Sequence, residues 1–186
     1  MYLIEGPENG FTSIAFSQDI GGIGAPFCVG NLAAEVMSSC NKSFSMAPGL
    51  TSGLVEALEA NGDEALNARF MEKLVTGEWT GTMALTEPQC GTDLGLLTTK
   101  AEPKGDHYEL TGTKVWITYG DHDMADNIVH LVLARLPDAP EGIKGISCFV
   151  VPKVLEDGTR NPAFVGSCDH KMGIHASPTT VLNLEG

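Results

Sequence analysis

Basic residues are scarce in this chain. Its 186 residues include 11 Lys and Arg against 24 Asp and Glu, a formal net charge of −13. Sequence-independent nucleic-acid binding rests on Lys and Arg neutralising phosphates, so that class of function is excluded. The deficit runs the length of the chain, with 3 basic against 10 acidic residues through Glu78 and 8 against 14 beyond it. Neither part is a basic module, and any bound phosphate must be held locally, by backbone N–H groups and hydroxyls. Long apolar runs are missing as well. The longest, Ile128–Ala134, is interrupted by His130 and falls far short of the roughly 18 residues of a membrane span. The opening MYLIEGPENG has neither the basic start nor the apolar stretch of a secretory signal, and a cytoplasmic protein is expected. Five cysteines, scattered and without a CxxC pair, argue against a disulfide framework or a zinc knuckle and for buried reduced thiols.

What is present suits a folded core: 42% of residues are apolar and 19% charged. Through Glu78 the apolar spacing is helical. Leu32, Val36, Met37 and Cys40 share one face, as do Leu54, Val55 and Leu58, and then Leu66, Phe70 and Leu74. Pro26 is placed to open the first helix, Pro48-Gly49 to interrupt, and Asn61-Gly62-Asp63 to separate the last two, with Asp63 as a cap. From Trp79 the pattern turns to strands: TGTMALT, LLTTKAEP, HYELTG, TKVWITYG, NIVHLVLARL, GISCFVVPK and TTVLNLEG. The expectation is an α+β chain, helical over 1–78 and mostly antiparallel β over 79–186. Both ends read as cut, which suggests a fragment.

Two stretches carry candidate chemistry. In KVWITYG, strand alternation puts Trp116 and Thr118 on one face and Val115 and Ile117 on the other. An indole beside a hydroxyl suits a flat heteroaromatic ligand, but by itself the stretch favours a core position with an incidental threonine, since aromatic side chains dominate cores. In MALTEPQCGTDLG, Thr86 ends a strand, Pro88 sets a turn, Gly91 admits close approach, and Thr92 offers a hydroxyl and an N–H to a phosphate oxygen. The alternative is a plain turn with Asp93 as a local cap. The acidic GDHDMADN, containing Asp121, His122, Asp123 and Asp126, reads as a surface loop more readily than as the metal site of a hydrolase. GGIG at Gly21–Gly24 follows no strand and is a poor dinucleotide fingerprint. His170 and His175 read as structural or exposed.

Together the two stretches resemble the flavin-binding signature of the acyl-CoA dehydrogenase family. GEWTGTMALTEPQCGTDLG, TKAEP, YELTGTKVWITYG, LVLARLPDAP and DHKMGIHASPT occur in that family's order. The wording is closest to the longer-chain branch that includes methylmercaptopropionyl-CoA dehydrogenases. The resemblance implies that 1–78 is the later part of the N-terminal helical domain and 79–186 a central, barrel-like, flavin-binding β domain. FAD would be bound by Met83, Leu85, Thr86, Gly91, Thr92, Trp116, Ile117 and Thr118. Thr92, where serine is usual, would hold the pyrophosphate and lie near the acyl-CoA, while Cys90 stands where alanine is usual. The implied reaction is α,β-dehydrogenation of an acyl-CoA thioester with hydride transfer to FAD. Electron-transfer flavoprotein would take the electrons, and the parent enzyme would be a homo-oligomer. The family's glutamate base belongs to a C-terminal helical domain absent from these 186 residues, so no catalytic residue is assigned and Glu87 is not promoted to that role. A non-catalytic truncated product or β-domain binding module is the rival reading.

Overall fold

The computed structural model describes residues 10–186. Three helices come first: α1 (Phe27–Cys40), α2 (Lys42–Asn61) and α3 (Glu64–Thr76). Their ends follow local chemistry. Asn41 caps α2 through its side chain on the Phe44 N–H, and Asp63 caps α3 on the Leu66 N–H at 2.8 Å. Gly77 closes α3 in the left-handed conformation at φ 79.

The expected break at Pro48 does not occur, because α2 runs straight through it. An interior proline costs about 3 kcal/mol. Against that cost stands a continuous buried face of Ala47, Thr51, Leu54, Val55 and Leu58, with Leu54 1% exposed. In α3 the buried set is Phe70, Met71, Leu74 and Val75. The first helix departs from expectation in another way. None of its residues is buried, and Leu32 and Val36 are 62% and 61% exposed.

Seven strands follow: β1 (Trp79–Ala84), β2 (Lys100–Lys104), β3 (His107–Thr118), β4 (Asn127–Arg135), β5 (Ile146–Pro152), β6 (Ala163–Cys168) and β7 (Thr179–Glu185). They form one sheet in the order β1-β4-β2-β3-β7-β6, with β5 on β4. The β2–β3, β3–β7, β4–β5 and β6–β7 pairs are antiparallel, and β2 meets β4 in parallel at Lys100 and Arg135. This α+β order of helices, then a mostly antiparallel sheet, is the expected one.

Details differ. HYELTG and TKVWITYG are a single strand, and the segment ahead of β2 is a short 3-10 turn at Leu94–Leu96, begun by Asp93. Gly112 lets β3 pass Thr99, since a Cβ there would sit 2.4 Å from its Oγ1. β6 went unanticipated.

Contacts divide the chain into two compact units. One holds residues 10–81 with His122–Ile128 and Lys171–Ser177; the other holds Thr82–Asp121, Val129–His170 and Pro178–Gly186. The core of the second unit gathers Ala84, Ala101, Leu110, Ile117, Val132, Ala134, Leu182 and Leu184.

Leu54→Ala should cost about 2–5 kcal/mol, the loss from a tight core position. Asp63→Ala should cost about 1 kcal/mol, the worth of a helix cap. Urea unfolding of both variants checks this, and equal losses would contradict the assignment of Leu54 to a tight core.

Candidate cofactor site

The two stretches singled out in the sequence meet in the second unit. The Val115 N–H donates to the Thr86 carbonyl at 2.9 Å, and the Lys114 Nζ donates to the Leu85 carbonyl at 3.0 Å. The same Nζ lies 2.9 Å from Glu87 Oε1, and both side chains are out of solvent, at 0% and 2% exposure.

Glu87 is saturated with donors. Oε1 accepts from the Thr99 N–H at 2.9 Å, the Thr99 hydroxyl at 2.5 Å and Lys114. Oε2 accepts from the Thr98 N–H at 2.8 Å, the Thr98 hydroxyl at 2.7 Å and Gln89 Nε2 at 2.5 Å. Burial works against the charged carboxylate, but hydrogen bonds from Thr99, Lys114 and Thr98 outweigh it and hold the pKa at about 2, against an ordinary 4.5. A carboxylate held so far below neutrality is a poor general base. Burial pushes the Lys114 ammonium below its ordinary value, against the pull of Glu87.

Beyond Lys114 the strand changes its facing. Leu110 and Lys114 are buried, then Ile117 and Tyr119, an odd step that coincides with a register shift against β7 between Lys114 and Ile117. Plain alternation would put Trp116 on the side of Lys114. Instead the backbone at Trp116 is left-handed, at φ 58, and the indole is 63% exposed. A bulky residue with positive φ is a genuine outlier, of the kind that stores strain at working sites. Thr118 is half-buried, and its hydroxyl has no hydrogen-bond partner among the described residues.

The remaining expected residues divide clearly. Met83, Leu85 and Thr86 are half-buried, while Gly91 and Thr92 are exposed. The Thr86 and Thr92 hydroxyls also have no partner among the described residues. Gly91 needs its glycine for no internal reason, since its φ is not positive and an added Cβ would meet only Thr86 Cγ2, at 3.8 Å. Ile117 is 2% exposed in the core, which withdraws its side chain from any ligand, and its carbonyl already accepts from the Thr180 hydroxyl. Cys90 is buried, whereas Cys28, Cys40, Cys148 and Cys168 are exposed, against the expectation of buried thiols.

Comparison with known proteins supplies what the geometry alone does not. Residues 5–78 match the acyl-CoA dehydrogenase N-terminal domain and residues 82–186 the acyl-CoA dehydrogenase middle domain. The chain belongs to the acyl-CoA dehydrogenase family. A 3-methylmercaptopropionyl-CoA dehydrogenase of Ruegeria pomeroyi is 47% identical over 96% of this chain and 31% of its own length. Among solved structures, butyryl-CoA dehydrogenase from Megasphaera elsdenii superposes with a TM-score of 0.82 at 31% identity, covering 98% of this chain and 46% of that one. An acyl-CoA dehydrogenase complexed with FAD from Bacillus anthracis does so with a TM-score of 0.81 at 30% identity, covering 98% and 29%. The chain thus spans less than half the length of these relatives.

Within this acyl-CoA dehydrogenase chain the acidic loop after β3 is engaged structurally. Asp121 bridges Lys153 at 2.5 Å and Arg160 at 3.0 Å. No group of three metal-ligating side chains forms among the described residues, nor does any helix there have the length and apolarity to cross a membrane. Sequence reasoning missed the Glu87–Lys114 pair. Its one visible signal is a lysine two turns of the strand pleat from Leu110, on the inward side of β3, where a charge requires a partner.

The acid limb of stability should reflect Glu87. Its folded pKa is about 2 against 4.5, so its contribution is complete above pH 4.5 and lost as pH falls through about 2, amounting to about 3 kcal/mol. The lowered Lys114 pKa gives a slope of the same sign at the alkaline end, where stability rises as pH climbs toward 10.5. Urea unfolding at stepped pH should show the acid slope, and Glu87→Gln should remove it. A slope unchanged in Glu87→Gln would assign it to other carboxylates.

Proposed function

We propose that this chain is the flavin-orienting part of an FAD-dependent acyl-CoA dehydrogenase. Residues 1–78 are the later part of its N-terminal helical domain and 79–186 its central β domain; the C-terminal helical domain is outside these residues. The observation that carries the reading is the left-handed turn at Trp116, which places an exposed indole two residues from a hydroxyl without a partner among the described residues. The donor set nearby fits the group: an aromatic face for a ring, hydroxyls on Thr86, Thr92 and Thr118 without partners among the described residues, and room at Gly91, where an added Cβ would meet only Thr86 Cγ2, at 3.8 Å, among them.

In this reading Trp116 packs against the isoalloxazine and the Thr118 hydroxyl bonds to its polar edge. Backbone of Met83, Leu85, Thr86 and Ile117 lines the ring. Gly91 and Thr92 hold the pyrophosphate, and Thr92 also lies near the acyl-CoA. Bound FAD supplies the hydride acceptor for α,β-dehydrogenation of the thioester. The chain's own residues orient and bind; the carboxylate that takes the α proton lies in the C-terminal domain, so the isolated chain lacks normal turnover. Electron-transfer flavoprotein is the acceptor for the parent enzyme, which is cytoplasmic and homo-oligomeric.

Titration of the purified chain with FAD, followed by flavin fluorescence, tests the reading. Saturable quenching is expected, weakened about tenfold or more in Trp116→Ala, as removal of a stacking aromatic implies. Thr92→Ala should weaken it less, by about the worth of one hydrogen bond to a charged group. A folded chain that shows no saturable quenching would instead favour a non-catalytic β-domain module.

A further inference from the structure

The Glu87–Lys114 pair sits between the two halves of the proposed cofactor site and touches no part of a ligand surface. A buried ion pair is an uneconomical way to fill a core. Well-packed apolar residues of similar volume are often as stable or more so, because both charges must leave water. What an apolar pair cannot do is aim. The Lys114 Nζ binds the Leu85 carbonyl at 3.0 Å and Glu87 at 2.9 Å, tying β3 to the loop that follows β1. Glu87 in turn is tied to Thr98 and Thr99 ahead of β2.

The tie falls two residues before Trp116, the first of two left-handed residues here; Tyr119, at φ 55, is the second. The residue after Lys114, Val115, is fixed by its N–H to the Thr86 carbonyl at 2.9 Å. On the far side, the Thr180 hydroxyl holds the Ile117 carbonyl at 3.0 Å, and the Tyr119 N–H holds the Pro178 carbonyl at 2.8 Å. Trp116, at φ 58, is therefore clamped from both ends. Without the clamp, the period of two along β3 favours an inward Trp116 on the side of Leu110 and Lys114, with Ile117 turned outward. A left-handed tryptophan persists only where its surroundings over-determine it.

We propose that the Glu87–Lys114 pair is a positioning device, which holds the bulge in β3 so that Trp116 and Thr118 face the flavin. The proposal rests on the flavin reading above for its purpose and on the backbone geometry for its mechanism. Neither residue is catalytic; both act through Trp116.

The experiment uses the full chain carrying Trp79→Phe, so that Trp116 is the remaining tryptophan of the two. Lys114→Met, Glu87→Gln and the double variant are compared by urea unfolding, by amide hydrogen exchange at Val115 and Trp116 without FAD, and by FAD titration. Each single variant leaves a buried charge without its counter-charge and loses stability. The double variant removes both charges and recovers most of it. The positioning role requires that the double variant nonetheless exchange the Val115 and Trp116 amides about tenfold faster and bind FAD about tenfold more weakly. Thr98→Ala, at an exposed position that donates to Glu87, should move the same two readouts together by about threefold with little loss of fold.

A double variant, or Thr98→Ala if the double variant does not fold, with unchanged exchange and unchanged FAD affinity would overturn the proposal and leave the pair a packing feature. If the unaltered chain fails to bind FAD, the flavin reading falls. Hydrogen exchange then still decides whether the pair holds the turn.

Discussion

A carboxylate with six donors, buried beside an ammonium group, is the constraint on which the β unit is organised. Glu87 joins three separate pieces of chain: its own loop through Gln89, the approach to β2 through Thr98 and Thr99, and β3 through Lys114. Each piece gives up something to meet it. Thr99 turns both its N–H and its hydroxyl inward, Gly112 must lack a Cβ so that β3 can pass Thr99, and β3 must carry a lysine where a leucine would pack better. Desolvating such a pair is costly unless every lone pair and proton is satisfied. Here both carboxylate oxygens are fully engaged, and the low Glu87 pKa expresses the same fact electrostatically.

A second clamp works beside it. The Arg135 guanidinium reaches the carbonyls of Leu97 at 2.7 Å, Gly95 at 2.8 Å and Pro140 at 3.2 Å. Between them, Glu87 and Arg135 fix the loop before and after Gly91 and Thr92, yet those two residues make few bonds of their own. A rigid frame around groups without internal partners is what a binding loop needs, because little ordering cost remains to be met on binding.

Much of the architecture was legible from local signals. Helical periodicity found the buried faces of α2 and α3, and Asp63 announced its cap. The resemblance between GTMALTEPQCGTD, GTKVWITYG and the acyl-CoA dehydrogenase family identified the β domain. Misreadings arose where tertiary contacts overrule local preference. Pro48 signals a break, but the buried face around it sustains the helix. In β6, Ser167 and Cys168 are both exposed on an edge strand, so no alternation marks it. Leu32, Val36, Met37 and Cys40 of α1 read as a core stripe, although periodicity reports that residues share a face and not that the face is covered. The bulge at Trp116 was invisible for a stronger reason. It depends on Leu85, Thr86 and Glu87, far away in the chain, and no window on β3 contains them.

This distribution of forces bears on where the chemistry of an acyl-CoA dehydrogenase can reside. Proton abstraction needs a carboxylate whose pKa lies near the working pH and which can reach a substrate. Glu87 lies in the candidate loop itself, and it fails both conditions, being held at about 2 and only 2% exposed. The donors that lower its pKa are the same ones that fix the loop, so it could not be freed for acid–base work without releasing Leu85 and the strand that presents Trp116. Orientation and proton transfer therefore make opposite demands on this carboxylate. In the proposed flavin reading, a fold that uses this carboxylate to aim an aromatic ring draws its base from another element, and the β unit serves as a rigid mount for the cofactor that performs the chemistry.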